Sequence, residues 1–254
     1  MSIVLYTLLS VVLVSLISVV AVLPFFLKKS LSQKTLAILL SFSVGSLLGT
    51  VFIHFLPEAM ENGYSLNVAL TILFGFLVFF ILEKLIHFHH ARKTEQEHGH
   101  GHAYHLAPLN IIGDGIHNLL DGIVIAGSYV TSIQLGIAAT ISVIFHEIPQ
   151  EVADMGILLY AGLKKGKALS LNFLSAITAL IGAGIGLFLA DQVHGFTEFI
   201  IPFAAGNFLY IAAVNLVPEI HRHCKSWDLI IHVISILAGI GITLLVLFFA
   251  PEQV

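Results

Sequence analysis

The sequence predicts an all-α polytopic membrane protein, and three observations carry that prediction. Hydrophobic residues make up 57% of the 254 residues and charged residues only 10%, whereas about a quarter of the residues are charged in soluble domains. The apolar residues form continuous segments of roughly 20 residues, the length that a helix needs to cross a hydrocarbon core of about 30 Å. The alternating pattern of a membrane β-barrel is absent, so each segment is predicted to be helical.

These segments predict eight spans in a single transmembrane domain over residues 1–254. The first is kept as a span because the N-terminus lacks the basic stretch that opens a secretory signal peptide. A hydrophilic loop at 90–106 separates the third and fourth spans. The predicted spans are 3–27, 34–57, 65–89, 107–130, 134–161, 168–190, 196–221 and 228–250.

The basic residues predict the orientation of the spans. All 11 Lys and Arg residues fall in or beside alternate connections, those that follow spans one, three, five and seven. The positive-inside rule makes these connections cytoplasmic and places both termini outside the cytoplasm. The net charge of −4 gives no indication of nucleic acid binding, so the expected surroundings are a lipid bilayer. The pattern leaves open whether the chain is a monomer or a homodimer.

The hydrophilic loop is rich in histidine. His98, His100 and His102 alternate with glycine, and such a run cannot pack a core, yet neutral imidazoles at close spacing can share a borderline metal ion. Either the loop is a solvated linker or it captures metal at the cytoplasmic mouth. We favour metal capture because of the residues in the adjacent spans.

Polar residues interrupt spans four and five at helical spacing. Residues three, four and seven apart share one face of a helix. Span four presents Asp114, His117, Asn118 and Asp121 on one face, and span five presents His146 with Gln150, and Glu147 with Glu151 and Asp154. Ionisable side chains are costly in hydrocarbon, so a set of this size indicates that something is bound or conducted there.

If the two helices pack side by side, these residues predict two adjacent metal sites. The first would use His117, Asp121, His146 and Gln150; the second, richer in oxygen, would use Asn118, Asp121, Glu147 and Gln150. Imidazole with carboxylate suits zinc and its first-row neighbours, and the single cysteine excludes a cysteine-rich site. The alternative is a buried polar network that only joins the helices.

Other residues are assigned accessory roles. Asp114, Glu151 and Asp154 are expected either to extend a metal or proton pathway or to support the ligands. His54, Glu58 and Glu219 lie near helix ends, where capping or interfacial solvation is the alternative. Pro149 removes a backbone hydrogen bond and is predicted to free the carbonyl of Phe145 beside the ligands.

A weak internal symmetry links spans two and seven, which end in Pro57-Glu58 and Pro218-Glu219. Because span two runs outward and span seven inward, the two pairs would lie at opposite faces, as an inverted repeat requires. This predicts an inverted 3+2+3 arrangement with spans four and five central. Chance similarity of two dipeptides is the alternative.

Two other functions share part of this pattern. His146-Glu147 on a helix matches the start of the His-Glu-x-x-His motif of zinc hydrolases, but an intramembrane hydrolase would lack its second histidine because position 150 is Gln. A cation exporter of the diffusion type would show six spans with His and Asp pairs on other helices. We therefore expect a transporter and not an enzyme.

With these motifs the chain resembles the ZIP (Zrt/Irt-like) divalent metal transporters. His-Asn-x-x-Asp-Gly at 117–122, His-Glu-x-Pro-x-Glu at 146–151 and the histidine-rich third loop carry the resemblance, and the second motif is most similar to the LIV-1 type subfamily. The resemblance implies a binuclear centre made of the two ligand sets above. It also implies inward movement of zinc or another divalent metal by a rigid-body shift of a central bundle. Long extracellular domains are absent, which implies a minimal prokaryotic form in the bacterial inner membrane.

Three positions depart from the family pattern. Gln150 stands where LIV-1 members usually have histidine and others glutamate, so this ligand is neutral. Ala179 aligns with a glutamate that some relatives add to the second site. Thr50 replaces an acid that often precedes the histidine at position 54. The second site is therefore expected to be weak, and the first to carry the primary binding event.

Overall fold

The fold is described from a computed structural model, which describes residues 2–23, 33–94, 106–221 and 228–249. Within those ranges all regular secondary structure is helical, and no strand occurs there. The predicted all-α class is confirmed for this part of the chain. His98, His100 and His102 lie outside the described residues.

We number the helices α1 to α8, count a helix with a π-helical turn as one, and also count as one the two segments on either side of Ile177. The unbroken helices are α1 at Ile3–Val22, α3 at Leu66–Thr94, α4 at Leu106–Thr131, α5 at Ile133–Tyr160 and α8 at Asp228–Phe249. α2 comprises Gln33–Gly49, a π-helical turn at Thr50–Phe55 and Leu56–Ala59. α6 comprises Lys165–Ala176 and Thr178–Gln192. α7 comprises Phe196–Tyr210, a π-helical turn at Ile211–Leu216 and Val217–His221.

Six of the described helices are long and apolar enough to cross a membrane, judged by length and composition. They are α1, α2, α3, α6, α7 and α8. The other two, α4 and α5, have 26 and 28 residues but carry the polar motifs. A membrane protein with several helical spans is thus supported, while the number eight stays a prediction.

The two polar helices lie at the centre of the described fold. They are joined by Ser132 alone, whose hydroxyl accepts a hydrogen bond from the Leu135 N–H and caps α5. α4 packs against α6 and α7, and α5 packs against α1 and α2. The Thr178 hydroxyl of α6 also donates to the Gly115 carbonyl of α4 at 2.6 Å. Apolar helices therefore surround the residues that are most costly to expose to hydrocarbon.

Two of the three reciprocal glycine crossings in the described fold, α2 with α8 and α3 with α7, share one arrangement. Where α2 meets α8, a Cβ on Gly45 would lie 2.1 Å from the Ile236 carbonyl oxygen, and one on Gly239 would lie 2.2 Å from the Phe42 oxygen. The α7 and α3 crossing repeats this arrangement: Gly206 faces the Ile72 oxygen at 1.9 Å, and Gly75 faces the Phe203 oxygen at 2.1 Å. Only a residue without a side chain lets membrane helices approach so closely.

These two crossings use equivalent positions. The α7 residues stand 161 positions after their α2 counterparts, and the α8 residues stand 164 positions after their α3 counterparts. The two π-helical turns are also 161 residues apart. Each turn ends two residues before a proline, Pro57 in α2 and Pro218 in α7. Proline has no N–H to donate to the carbonyl four residues back, and a π-helical turn is one way to relieve that conflict.

The close crossing predicts an asymmetric response to two neighbouring glycines of α8. We expect Gly239→Ala to destabilise the protein by about 1–3 kcal/mol, because its methyl group would overlap the α2 backbone. Gly241→Ala is the matched control, since nothing lies within 4 Å of its Cβ position and alanine favours the helix. Size-exclusion analysis after graded heating measures both. Equal midpoints for the two variants would contradict the crossing.

Candidate metal centre

The hairpin of α4 and α5 brings the predicted ligands level with each other. His117 precedes Ser132 by 15 residues and His146 follows it by 14, so an antiparallel pair places the two imidazoles opposite one another. Their Nε2 atoms are 3.1 Å apart. His117 is 14% exposed and His146 only 1%, so the two rings meet inside the protein.

Four side chains converge on one point. They are His117, Asp121, His146 and Glu147, and one ligand atom from each lies within 4.8 Å of all the others. From His117 Nε2, the distance is 3.5 Å both to Asp121 Oδ2 and to Glu147 Oε1. From His146 Nε2, the distances to the same two oxygens are 3.1 and 3.7 Å.

These separations match the edges of a zinc tetrahedron. Zinc binds imidazole nitrogen and carboxylate oxygen at about 2.0–2.1 Å, which sets ligand-to-ligand distances of about 3.3–3.4 Å. The five measured edges run from 3.1 to 3.7 Å and use the same atom of each residue throughout. The four side chains can therefore hold one tetrahedral ion with little movement.

Hydrogen bonding fixes which nitrogen of His146 faces the centre. Its Nδ1 lies 2.9 Å from the Ser142 carbonyl, and a carbonyl can only accept, so Nδ1 carries the proton. In the neutral ring Nε2 is then a lone pair. Both Asp121 oxygens and both Glu147 oxygens are buried and have no hydrogen-bond donor. The Nε2 lone pair of His146 thus lies beside carboxylate oxygens that have no donor, an arrangement that a cation would satisfy.

Aromatic rings and helix α2 fix the position of the cluster. Phe79 of α3 meets the His117 ring edge to face at 5.6 Å, and Phe208 of α7 lies 6.1 Å from the His146 ring. Behind His146, the Thr50 and Ser142 hydroxyls are 2.6 Å apart. Thr50 is therefore a buried link between α2 and α5 in this chain.

The carbonyl that Pro149 frees has found a partner. Ser43 of α2 donates its hydroxyl hydrogen bond to Phe145 O at 2.5 Å. The prediction that this carbonyl loses its helical donor agrees with that contact, and α5 stays helical across the proline. The carbonyl is thus used to attach α5 to α2, which holds His146 and Glu147 in place.

Asn118 and Gln150, both predicted as ligands, are directed toward Asp114 instead. Asn118 Nδ2 donates to Asp114 Oδ1 at 2.9 Å, and Gln150 Nε2 donates to the same oxygen at 3.3 Å. The described contacts of Gln150 are thus away from the four-residue cluster. Glu147 occupies the corner of that cluster that the sequence assigned to Gln150.

A second group of carboxylates lies farther along the hairpin. One oxygen each of Asp114, Glu147 and Glu151 falls within 4.8 Å of the other two. Asn172 of α6 donates from Nδ2 to Glu151 Oε2. Sequence spacing gave no signal for Asn172, because its partner lies on a different helix 21 residues away.

Comparison with known proteins decides the family. A family model described as ZIP Zinc transporter matches residues 1–108 and 102–247. The chain belongs to the ZIP zinc transporter family. It is 33% identical to Zinc transporter ZIP13 of Pongo abelii over 82% of this chain and 65% of that protein. It is 31% identical to Zinc transporter YKE4 of Saccharomyces cerevisiae, over 80% of this chain and 68% of that protein.

A mouse relative, Zinc transporter ZIP13 of Mus musculus, is 31% identical over 83% of this chain and 70% of its own length. The chain thus spans about two thirds of the length of these ZIP relatives. They are members of the LIV-1 type, which confirms the subfamily resemblance. All three are named as zinc transporters, and none is named as an enzyme.

The remaining predicted residues lie apart from the cluster of this ZIP chain. His54 is buried in the π-helical turn of α2, and its Nε2 donates to the Thr243 carbonyl of α8 at 2.9 Å. Glu58 is half-buried one turn beyond it. Asp154 is half-buried on α5, where the Asn110 side chain of α4 hydrogen-bonds to it. The side chain of Glu219 lies outside the described part.

Because the buried carboxylates have no donors, we expect Asp121→Asn to change thermal stability in opposite directions without metal and with zinc. In chelator, we expect Asp121→Asn to raise the thermal midpoint, because it removes a buried charge without a donor. With zinc at 100 times its Kd, wild type should gain about 2.7 kcal/mol, and the variant should gain much less. Heating with and without zinc measures both. Glu61→Gln, an exposed acid, is the control, and a full zinc response in Asp121→Asn would contradict the assignment.

Proposed function

We propose that this chain carries divalent metal, zinc first of all, into the cytoplasm through a centre made of His117, Asp121, His146 and Glu147. The observation that carries the proposal is the near-tetrahedral set of four lone-pair donors between α4 and α5. Membership of a family of zinc transporters supports it. The metal here is the cargo, so it must be released as well as bound.

The ligand chemistry favours zinc among the divalent cations. Two imidazoles and two carboxylates suit zinc and its first-row neighbours, whereas calcium and magnesium prefer all-oxygen sites. Thiolates, which hold structural zinc permanently, are not part of the cluster. A centre of this kind combines selection with release.

We further propose eight spans in an inverted 3+2+3 arrangement with α4 and α5 as the central pair. The constant 161-residue offset between α2 and α7, in both glycine contacts and π-helical turns, supports an internal repeat. Exposed apolar side chains on α1, α3 and α8, such as Leu16, Leu73 and Phe248, are suited to contact lipid. The basic connections support both termini outside. A bacterial inner membrane stays a prediction, since the relatives named above are eukaryotic.

The polar residues around the centre have supporting roles in this proposal. Asn118 and Gln150 would donate hydrogen bonds to Asp114. They would contact the metal only when the cation has moved from the four-residue cluster toward Asp114. Glu151 and Asp154 continue the line of carboxylates on α5. His54 and Glu58, near the outer end of α2, and Glu219, near the cytoplasmic end of α7, would be accessory residues.

Metal uptake into proteoliposomes tests the proposal. Zinc outside the vesicles should enter with wild type, and uptake should fall to the level of empty vesicles for Asp121→Ala combined with His146→Ala. His117→Ala alone should abolish uptake at low zinc, because the tetrahedron loses a corner. Glu61→Gln is the matched acidic control and should transport normally. Equal uptake by wild type and the double variant would overturn the proposal.

The histidine-rich loop has a separate proposed role as an accessory metal trap. Deleting residues 98–102 should change the apparent affinity for zinc but leave transport measurable, because the centre between α4 and α5 remains. Uptake over a range of zinc concentrations measures the change. Complete loss of uptake by a normally folded deletion variant would show that the loop is essential.

A further inference from the structure

Asn207 of α7 is buried without a partner for its side chain. It is 0% exposed, and both its Nδ2 and its Oδ1 are enclosed by protein with no hydrogen bond. An amide side chain has two N–H donors and a carbonyl acceptor, and it is costly to leave all of them unused in an interior. A buried polar group of this kind in a native fold needs an explanation.

Contacts between α3 and α7 place Asn207 in the layer of the metal ligands. Tyr210, one turn after Asn207 on α7, donates its hydroxyl hydrogen bond to Glu83 of α3. Phe79 precedes Glu83 by one turn, and the two helices run in the same direction, so Phe79 and Asn207 share a layer. The ring of Phe79 meets the ring of His117 with centroids 5.6 Å apart.

The same face of α7 is turned toward α4. A Cβ on Gly127 of α4 would lie 2.6 Å from the side chain of Ile200. Asn207 follows Ile200 by seven residues, which is about two helical turns and returns to the same face. Its chain neighbour Phe208 lies 6.1 Å from the ring of His146. Asn207 is therefore level with the two ligand histidines, where α3, α4 and α7 meet.

The two ligand histidines differ in how the second ring nitrogen is held. His146 donates from Nδ1 to the Ser142 carbonyl at 2.9 Å. His117 faces the centre with Nε2, and within the described ranges its Nδ1 has no hydrogen bond. A histidine that binds metal almost always donates its other N–H to a carbonyl, a carboxylate or water. His117 thus lacks the support that His146 has.

The tautomer of His117 explains when that support is needed. Because Nε2 of His146 is a lone pair, the 3.1 Å contact between the two Nε2 atoms requires His117 to donate from Nε2 while no ion is bound. Its Nδ1 is then an acceptor. An ion at Nε2 takes the place of that proton, and the neutral ring then carries its proton on Nδ1. The Nδ1–H needs an acceptor only in this loaded state.

We propose that Asn207 is the positioning residue of His117, and that its Oδ1 accepts the Nδ1–H of His117, directly or through one water, when an ion is bound. An amide suits this role because it can serve both tautomers: its Nδ2 can donate to Nδ1 without the ion, and its Oδ1 can accept from Nδ1 with the ion. The ring stays neutral in both states. This inference rests on the proposed metal centre and adds a residue of α7 to it.

Zinc affinity of the purified full chain, measured by isothermal titration in detergent, tests the role. We expect Asn207→Leu, which is similar in size, to weaken zinc binding about tenfold or more. In chelator the same variant should be at least as stable to heat as wild type, because it removes a buried polar group without a partner. Asn207→Asp keeps an acceptor and should bind zinc at least as tightly as wild type. Ser128→Ala removes a buried hydroxyl of α4 that also has no partner, and as the control it should leave the affinity unchanged.

A double-mutant cycle identifies the histidine on which Asn207 acts. The loss of zinc affinity caused by Asn207→Leu should disappear in the His117→Ala background, because the ring that Asn207 positions is gone. It should persist in the His146→Ala background, where His117 is still present. A residue that only packs the helices together would cause the same loss in both backgrounds.

The possible outcomes separate this role from the metal centre itself. Unchanged zinc affinity in Asn207→Leu, an equal loss in the two histidine backgrounds, or lower stability of Asn207→Leu in chelator would overturn the positioning role. If His117→Ala weakens zinc binding while Asn207→Leu does not, the metal centre is supported and only the role of Asn207 fails. If His117→Ala binds zinc as wild type does, the centre fails and the role of Asn207 fails with it.

Discussion

The rest of this structure depends on one constraint. Hydrogen-bond acceptors that have no donor are buried together between α4 and α5. At an effective dielectric constant of about 20, two like charges 4 Å apart repel by about 4 kcal/mol. Asp121, Glu147 and Glu151 are all buried with at least one oxygen lacking a donor. Such a set is stable only with a cation or with protons. The occupancy of the centre and the packing of α4 against α5 are therefore coupled.

The surrounding helices hold the two polar helices through separate contacts. α5 is attached to α2 through Ser43 on Phe145 O and through Thr50 on Ser142. α4 is attached to α6, where Gly122 faces the Ala179 carbonyl and Gly182 faces the Leu119 carbonyl. Each polar helix thus has its own apolar partner.

The outer crossings of α2 with α8 and of α3 with α7 use the same reciprocal glycine contacts as the α4 and α6 pair. Each glycine sits against a carbonyl of the other helix, so two contacts lock each pair in both directions. Interiors packed this closely move as units and do not deform continuously. These pairs are suited to serve as fixed walls. The π-helical turns beside Pro57 and Pro218 lie within the walls, where His54 reaches across from α2 to α8.

Local spacing could predict only part of this arrangement. His117 and Asp121 are four residues apart on one helix, so their shared face is visible in sequence, and the tight connection at Ser132 makes His146 their natural neighbour. Glu147 was assigned to another site because adjacent residues point about 100° apart on a helix. Its longer side chain still reaches His117. Ser43, Phe79, Asn172 and Phe208 come from other helices, and no local pattern records such contacts.

Charge balance supports Glu147, and not Gln150, as the fourth ligand of the proposed centre. Two neutral imidazoles with the carboxylates of Asp121 and Glu147 carry a charge of −2, which a divalent cation cancels. A neutral loaded centre avoids most of the cost of a buried charge, whereas a monovalent ion would leave one negative charge unbalanced. A glutamate at position 150 would add a third carboxylate to this region, and the amide of Gln150 adds none. Neutral Gln150 is expected to weaken the predicted second metal site. Because it adds no charge, the cluster of His117, Asp121, His146 and Glu147 keeps the charge of −2 that a divalent ion balances.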